Sequence, residues 1–231
     1  MTFQKTLASA NKQNLKARLY TNKILKSIYF RNLRSNMELI CGIDEAGRGT
    51  LCGSMFISGV LCDENAALAL QNMGVRDSKL LSKIKRAKLA QLIKKCAKVI
   101  LIEQSQAKID EFGISFCLKD ALLQIVKKAK DIEKDKNIRF LFDGNTTFGA
   151  NAHENGIKIE TIIKGDSKII QIASASIIAK HAKDLEIELL HERIPQYGLL
   201  QHSGYGTKMH KKAIAQYGKS AFHRKSFNIK L

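Results

Sequence analysis

Three short apolar segments of the chain each lead into acidic side chains. The segments are residues 39–44, 138–142 and 157–163, and the acids are Asp44, Glu45, Asp143 and Asp166. Carboxylates at the ends of apolar strands are costly unless they are paired, hydrogen-bonded or bound to a metal. Neighbouring strands of an open α/β sheet bring their ends together, and ligand sites gather there. The sequence therefore predicts that these acids converge at one edge of a sheet.

The pattern around the acids alternates strands with helices. Residues 54–62 and 99–103 are predicted as further strands, and residues 82–96, 115–130 and 168–193 as helices. Ser82 is the predicted N-cap of the first helix. The last helix is apolar nearly all round in its first half, which indicates burial, and the single proline, Pro195, marks its end. Because no repeat or linker interrupts the pattern, we expect one α/β domain over residues 38–231.

Residues 1–37 have a different composition, with eight Lys or Arg residues and no acid. Four interpretations remain open: an arm that binds nucleic acid, a helix packed on the domain, an organellar transit peptide, or a segment upstream of a true start at Met37. We treat residues 1–37 as a basic N-terminal extension.

The formal net charge of +18 favours a polyanionic partner. Nucleic acid is favoured over an anionic membrane surface and over a basic surface that meets only solvent. The five cysteines are odd in number and lack C-x-x-C spacing, which indicates buried thiols in a reducing compartment rather than a zinc site or disulfides. No apolar run is long enough to span a membrane and no secretion signal begins the chain, so the cytoplasm is expected.

The acids predict a divalent-cation site. Oxygen ligands without nearby Cys or His fit Mg²⁺ or Mn²⁺ rather than zinc. Each acid alone has a simpler interpretation: Asp143 precedes a glycine, as turn acids do, and Asp166 is placed to cap the following helix. The four together, in a basic chain, favour metal-assisted phosphodiester cleavage. Asp44 and Glu45 would point to opposite faces of a strand, so we expect the glycines that follow to turn the chain there.

Two glycine-flanked segments have side chains suited to nucleic acid. In residues 47–49 the glycines permit close approach to a sugar, and Arg48 can bind a phosphate, although such segments are also common in ordinary turns. Backbone groups close to a sugar can distinguish RNA from DNA by the 2′-hydroxyl. Tyr205 lies between two glycines, where an exposed ring stacks on a sugar or base and a buried ring only packs in the loop.

The order of these motifs resembles that of bacterial ribonuclease HII. The matching segments are GIDEAGRG, RDSKLLS, FDGN, KGDSKIIQIASASIIAK, YGLLQHSGYGTKMH and HRKSF, from about residue 38 to residue 227. The resemblance implies a ribonuclease H-like fold, with a mixed five-stranded sheet flanked by helices and a helical C-terminal part that closes over the substrate groove. It also implies two-metal-ion hydrolysis of the RNA strand of RNA–DNA hybrids, and nicking 5′ of ribonucleotides embedded in duplex DNA. The expected ends are a 3′-hydroxyl and a 5′-phosphate, and the expected processes are ribonucleotide excision repair and DNA replication.

The same resemblance assigns roles to individual residues. The catalytic acids and metal ligands are Asp44, Glu45, Asp143 and Asp166. The loop that senses the 2′-hydroxyl is Gly47, Arg48 and Gly49, and the residue that stacks on the deoxyribose after the ribonucleotide is Tyr205. Candidates for substrate contacts or structural support are Lys79, Ser174, Lys180 and His202. The expected cofactor is Mg²⁺ or Mn²⁺, the expected partners are RNA–DNA hybrid and ribonucleotide-containing duplex DNA, and a monomer without a membrane partner is expected.

The chain departs from the family pattern at two positions. Thr50 stands where a proline usually follows the glycine–arginine–glycine segment, so we expect a less restricted loop. Leu80 stands where a second lysine is common, which removes one possible phosphate contact. Two alternatives stay open: a non-catalytic nucleic-acid-binding protein on the same fold, and another ribonuclease H-like nuclease such as a junction resolvase.

Overall fold

A mixed five-stranded sheet forms the centre of the domain. The computed structural model describes residues 38–76, 78, 81–152 and 158–229, so the basic N-terminal extension, Lys79 and Leu80 lie outside the described residues. The strands are β1 (Leu39–Ala46), β2 (Met55–Cys62), β3 (Lys98–Gln104), β4 (Ile138–Asp143) and β5 (Ile159–Ile162). Their order across the sheet is β3-β2-β1-β4-β5. The pairs β1/β2 and β2/β3 are antiparallel, whereas β1/β4 and β4/β5 are parallel.

Six helices accompany the sheet in the described part of the chain. They are α1 (Glu64–Asn72), α2 (Lys83–Cys96), α3 (Gln106–Ile132), α4 (Ile170–Arg193), α5 (Leu199–His202) and α6 (Lys208–Tyr217). The predicted N-cap is confirmed, because the Ser82 hydroxyl accepts a hydrogen bond from the Lys85 N–H at 3.3 Å. The end of α4 is also confirmed, since Pro195 begins a short 3₁₀ turn two residues after the helix.

Helices cover both faces of the sheet. The main core packs α3 against β1, β2, β3 and β4, with Cys41 and Ile43 of β1 among its buried residues. Side chains alternate along a strand, so Gly42 faces the other side. There it lies directly under the backbone of Gln171 and Ile172 at the start of α4. The apolar α4 is therefore a buried layer, as its composition predicts; twelve of its residues are buried.

Several elements differ from the prediction; strand β5, for example, spans Ile159–Ile162 rather than 157–163. Helix α3 begins at Gln106 rather than 115, because the Ser105 hydroxyl caps a first segment that is interrupted at Gly113 (φ 80°, ψ 162°). Helix α1 was not predicted; Asp63 caps it by accepting from the Ala66 N–H at 2.8 Å. Four of the cysteines are buried, Cys96 is partly buried, and all five are free thiols, as expected. None of the described helices is both long and apolar enough to cross a membrane.

The C-terminal part holds a second, smaller core and three histidine rings. The rings of His202 and His210 stack at 4.3 Å, and the Nε2 atoms of His210 and His223 are 3.0 Å apart. The Ser220 N–H donates to His223 Nδ1, so the proton of that ring lies on Nε2 and is donated to His210. His210 then donates from Nδ1 to the Tyr205 carbonyl at 3.0 Å. This chain of hydrogen bonds requires neutral imidazoles.

Candidate active site

Three of the predicted acids meet at one edge of the sheet. Asp44 lies near the end of β1, Asp143 ends β4, and Asp166 lies in a 3₁₀ turn just before α4. Strands β1 and β4 run side by side in parallel, with Ile43 opposite Phe142, so their next residues share an edge. One oxygen from each of the three carboxylates lies within 4.8 Å of the others. The convergence follows from the strand order.

Neighbouring groups orient these carboxylates. The Gly165 N–H donates to Asp143 Oδ1 at 2.7 Å, which ties the 3₁₀ turn to the end of β4. Asp44 accepts from the Glu45 N–H at 2.8 Å and is hydrogen-bonded by the Ser176 hydroxyl from α4. The Lys180 ammonium in turn lies 3.1 Å from the Ser176 hydroxyl. The α4 helix therefore supports the site from behind.

The site is electrostatically incomplete without a cation. Burial, followed by the charge of Glu45, raises the pKa of Asp44 to about 8. Burial also raises the pKa of Glu45, opposed by Arg48. Like charges held together in a buried site disfavour ionisation, and a bound cation reverses this effect. The hard oxygen donors fit a divalent ion such as Mg²⁺.

Glu45 lies beside the three aspartates rather than within their oxygen cluster. Strand β1 continues through Ala46, so the expected turn comes after both acids and not between them. One Glu45 oxygen is 3.8 Å from the Arg48 guanidinium. The other oxygen is buried and has no hydrogen-bond partner among the described residues. A buried carboxylate oxygen without a partner fits a metal ligand.

All eight predicted site residues line one open groove of about 530 Å³. They are Asp44, Glu45, Gly47, Arg48, Gly49, Asp143, Asp166 and Tyr205. Tyr205 is half exposed and its Cε1 lies 4.0 Å from where a side chain on Gly49 would begin. An isolated β-bridge joins Thr50 to Tyr205, so the two glycine-flanked segments are structurally connected. The groove thus brings together acids, a basic loop and an accessible aromatic ring.

The loop after β1 is firmly held. Gly47 has φ +84°, and a Cβ there would lie 2.8 Å from the Ser54 carbonyl, so this position requires glycine. The Thr50 hydroxyl donates to the Gly47 carbonyl at 3.0 Å. Thr50 therefore restrains the loop by a hydrogen bond where the family's proline would do so by its ring.

Buried groups that the sequence analysis did not single out hold the rest of this loop. From α4, the Lys183 ammonium donates to the Cys52 and Ser54 carbonyls, both at 3.0 Å. The Ser54 N–H donates to Glu186 at 2.7 Å, and Glu186 also pairs with Lys183 at 2.7 Å. Lys183 and Glu186 lie in the charged second half of α4, where a Lys–Glu pair one turn apart looks like an exposed ion pair, so the sequence carried no specific signal for their role.

The weaker candidates separate into two groups. Lys180 lines the groove. Ser174 is fully buried and His202 is 7% exposed, and neither is among the residues that line the groove.

Comparisons with known proteins agree with this geometry. The sequence model of the family described as Ribonuclease HII matches residues 41–230. The chain is 47% identical to a Ribonuclease HII of Helicobacter acinonychis over 82% of this chain and 96% of that protein. It is 40% identical to a Ribonuclease HII of Aliarcobacter butzleri, over 84% of this chain and 93% of that protein. Among solved structures, the ribonuclease HII of Archaeoglobus fulgidus, in a complex with PCNA, superimposes with a TM-score of 0.68 at 29% identity, covering 80% of this chain and 92% of that one. A ribonuclease HIII in complex with Mn²⁺ shares the fold, with a TM-score of 0.67 at 20% identity, over 83% of this chain and 67% of that one.

Proposed function

The chain belongs to the ribonuclease HII family and is a metal-dependent endoribonuclease that degrades RNA in RNA–DNA hybrids, and from this premise we propose that it also nicks duplex DNA 5′ of a single embedded ribonucleotide. The products would be a 3′-hydroxyl and a 5′-phosphate. One observation carries this proposal: the acids, the loop 47–49 and Tyr205 line the same groove.

Four carboxylates would hold the metal in this proposal. Asp44, Asp143 and Asp166 offer clustered oxygens, and Glu45 offers its unpartnered buried oxygen. The finer assignment is Mg²⁺ or Mn²⁺, which the all-oxygen donor set supports. When bound, divalent ions in such sites lower the pKa of water and stabilise developing charge on phosphoryl oxygens.

The loop 47–49 would select the ribonucleotide. Arg48 and Gly49 are exposed at the groove, so their backbone can approach a ribose closely. A ribose 2′-hydroxyl both donates and accepts hydrogen bonds, whereas the 2′ carbon of a deoxyribose carries no group that can do either. Tyr205, half exposed beside Gly49, is placed to stack on the adjoining sugar. The loop that selects the ribonucleotide would then follow within a few residues of Asp44 and Glu45, two of the acids that would hold the metal.

The wider setting is part of the same proposal. The excess of basic residues suits a phosphate backbone as partner, so binding would weaken as salt rises. We propose a monomer that acts in the cytoplasm, in ribonucleotide excision repair and DNA replication.

A nicking assay on duplex DNA with one ribonucleotide tests the proposal. The wild type is assayed with Mg²⁺, with Mn²⁺ and with EDTA, and so are Asp44→Asn and the control Asp131→Asn. Asp131 is an exposed acid on α3 outside the groove, so it matches the chemical change but not the site. We expect a metal-dependent cut 5′ of the ribonucleotide that only Asp44→Asn loses.

An all-DNA duplex and a four-branched DNA junction are assayed in parallel. A cut that does not depend on the ribonucleotide would favour a different nuclease of the same fold. Tight binding without any cut would leave a binding protein and would contradict the proposal.

A further inference from the structure

The C-terminal tail inserts a fully buried arginine beneath the loop after β1. Arg224 has no exposed surface. Its Nε donates to the Gly53 carbonyl at 3.0 Å, and its two terminal nitrogens donate to the Arg48 carbonyl at 2.9 Å and the Gly47 carbonyl at 2.7 Å. One side chain therefore holds both ends of the loop.

Backbone hydrogen bonds fix the arginine in register with the loop. The Arg224 N–H donates to the Leu51 carbonyl, and the Gly53 N–H donates to the Phe222 carbonyl, both at 2.9 Å. The guanidinium carbon also lies 5.0 Å from the centre of the Phe227 ring. A buried guanidinium needs such partners, since its desolvation is otherwise costly. Here backbone carbonyls supply these partners, so the buried guanidinium fixes the orientation of the peptide groups that it binds.

The direction of those carbonyls decides where the loop N–H groups point. In a planar trans peptide the C=O and N–H bonds are antiparallel. The Gly47 carbonyl belongs to the same peptide unit as the Arg48 N–H, and the Arg48 carbonyl to the same unit as the Gly49 N–H. Because both carbonyls point inward to Arg224, both N–H groups point outward, on the side where Arg48 and Gly49 line the groove.

We propose that Arg224 is a positioning residue for ribonucleotide selection, which holds the loop 47–49 so that two backbone N–H groups face the ribose 2′-hydroxyl. This inference rests on the proposed function of that loop. The arginine does not touch the substrate; it acts through the two peptide groups that it orients. A lysine has one ammonium instead of a planar fork and cannot reproduce three directed bonds.

Three readouts on Arg224→Met and Arg224→Lys test the inference. The first is kcat/KM in Mg²⁺ on duplex DNA with one ribonucleotide. We expect it to fall at least about tenfold, which corresponds to a loss of about 1.4 kcal/mol in transition-state stabilisation. The second is the Kd for an all-DNA duplex in EDTA, and the third is the Mg²⁺ concentration for half-maximal rate. Both should stay within about twofold of wild type, because a general loss of structure or a shifted acid would move them while a misdirected loop would not.

Two further variants keep the test decisive. Lys219→Met is the matched control, because Lys219 donates to the carbonyls of Arg224, Lys225 and Phe227 in the same tail. It should leave kcat/KM within about twofold. Thr50→Val removes the other side-chain donor to the Gly47 carbonyl and leaves the tail intact, so it should lower kcat/KM in the same selective way even where the arginine variants fail to fold.

The outcomes separate this inference from the function beneath it. If the wild type does not depend on the ribonucleotide, the proposed function fails. If the wild type does depend on it, unchanged kcat/KM in the Arg224 and Thr50 variants overturns the positioning role. A fall accompanied by an equal change in DNA affinity or Mg²⁺ requirement also overturns it.

Discussion

Gly42→Ala should show how closely helix α4 must approach the sheet for both stability and activity. A Cβ at position 42 would lie 2.2 Å from the carbonyl carbon of Gln171 and 2.3 Å from the nitrogen of Ile172. Both atoms belong to the backbone of α4, so no side-chain rotation relieves the clash. The helix start must move away from β1 instead.

The size of that movement follows from the distances. Side-chain Cβ atoms are essentially never found closer than 3.0 Å to such atoms, so the helix start moves by about 0.8 Å. Overpacking of a core usually costs about 1–3 kcal/mol, and a backbone clash belongs at the upper end of that range. We therefore expect the free energy of unfolding to fall by about 3 kcal/mol.

Activity should fall by more than stability accounts for. Gly42 lies two residues before Asp44, and the displaced start of α4 follows closely on the turn that contains Asp166. The change therefore alters the spacing of two acids in the same cluster. A misplacement near 1 Å reduces rates by about 100-fold, so kcat/KM of the folded protein should fall by about that factor.

The assay is urea unfolding of the EDTA-treated protein, followed by circular dichroism, together with the nicking assay at a temperature where the variant is folded. Gly59→Ala is the control. A Cβ there meets the Ile125 Cγ2 at 2.6 Å and the Cys41 Sγ at 3.2 Å, which are core side-chain atoms rather than backbone of α4. Gly59→Ala should lower the free energy of unfolding by about 1–3 kcal/mol and leave the activity of the folded protein nearly unchanged. Equal losses of activity in the two variants, or full activity in Gly42→Ala, would refute this account of the α4 contact.

Three other perturbations test electrostatic interactions in the acidic site, in the C-terminal core and with nucleic acid. Asp44→Asn should raise the melting temperature of the EDTA-treated protein. With a pKa of about 8, the buried wild-type carboxyl must take up a proton when the protein folds at neutral pH, and asparagine need not. The substitution should also abolish the rise in melting temperature that Mg²⁺ produces in wild type; differential scanning fluorimetry measures both, and a preserved Mg²⁺ shift argues against this ligand. Burial lowers the pKa of His223 from 6.5 to about 4, so its contribution to stability is complete above pH 6.5 and is lost as pH falls towards 4, by up to about 3 kcal/mol. Urea midpoints across this range should fall more steeply in wild type than in His223→Asn, and parallel curves would disprove the role of this ring. Raising salt from about 50 to about 200 mM should weaken hybrid binding at least about 10-fold in a titration, and a flat response would exclude a phosphate-dominated interface.

The strands and the acids were predictable from the sequence because each depends on local pattern. Residues 54–62, 99–103 and 138–142 each differ from the observed strand by one residue or less at either end. The acids were recognisable because burying a carboxylate at the end of an apolar strand costs free energy unless the group is paired, hydrogen-bonded or bound to a metal. The family resemblance implied a mixed five-stranded sheet, but the order of the strands, which brings β1 beside β4, is not written in any one segment and came only with the structure.

Interactions across long sequence separations were beyond prediction from pattern. Lys183 and Glu186 read as an ordinary ion pair on a helix, and nothing local connects them to Ser54. Arg224 lies in a basic tail where an exposed arginine would look the same. The clash that requires glycine at position 42 depends on where α4 packs against the sheet. Secondary-structure propensities carry no information about that position. Such contacts are fixed by tertiary packing and not by periodicity.

The tail that carries Arg224 joins the loop across 177 positions of the chain. During synthesis the acids of β1, β4 and the turn before α4 are all made before the arginine. Contacts between segments so far apart in sequence form late, because the intervening chain must first be ordered. The loop 47–49, which we propose selects the ribonucleotide, would therefore be the last part of the groove to reach its final structure. A nascent or C-terminally clipped chain would then contain the clustered acids while lacking the arginine that holds the loop.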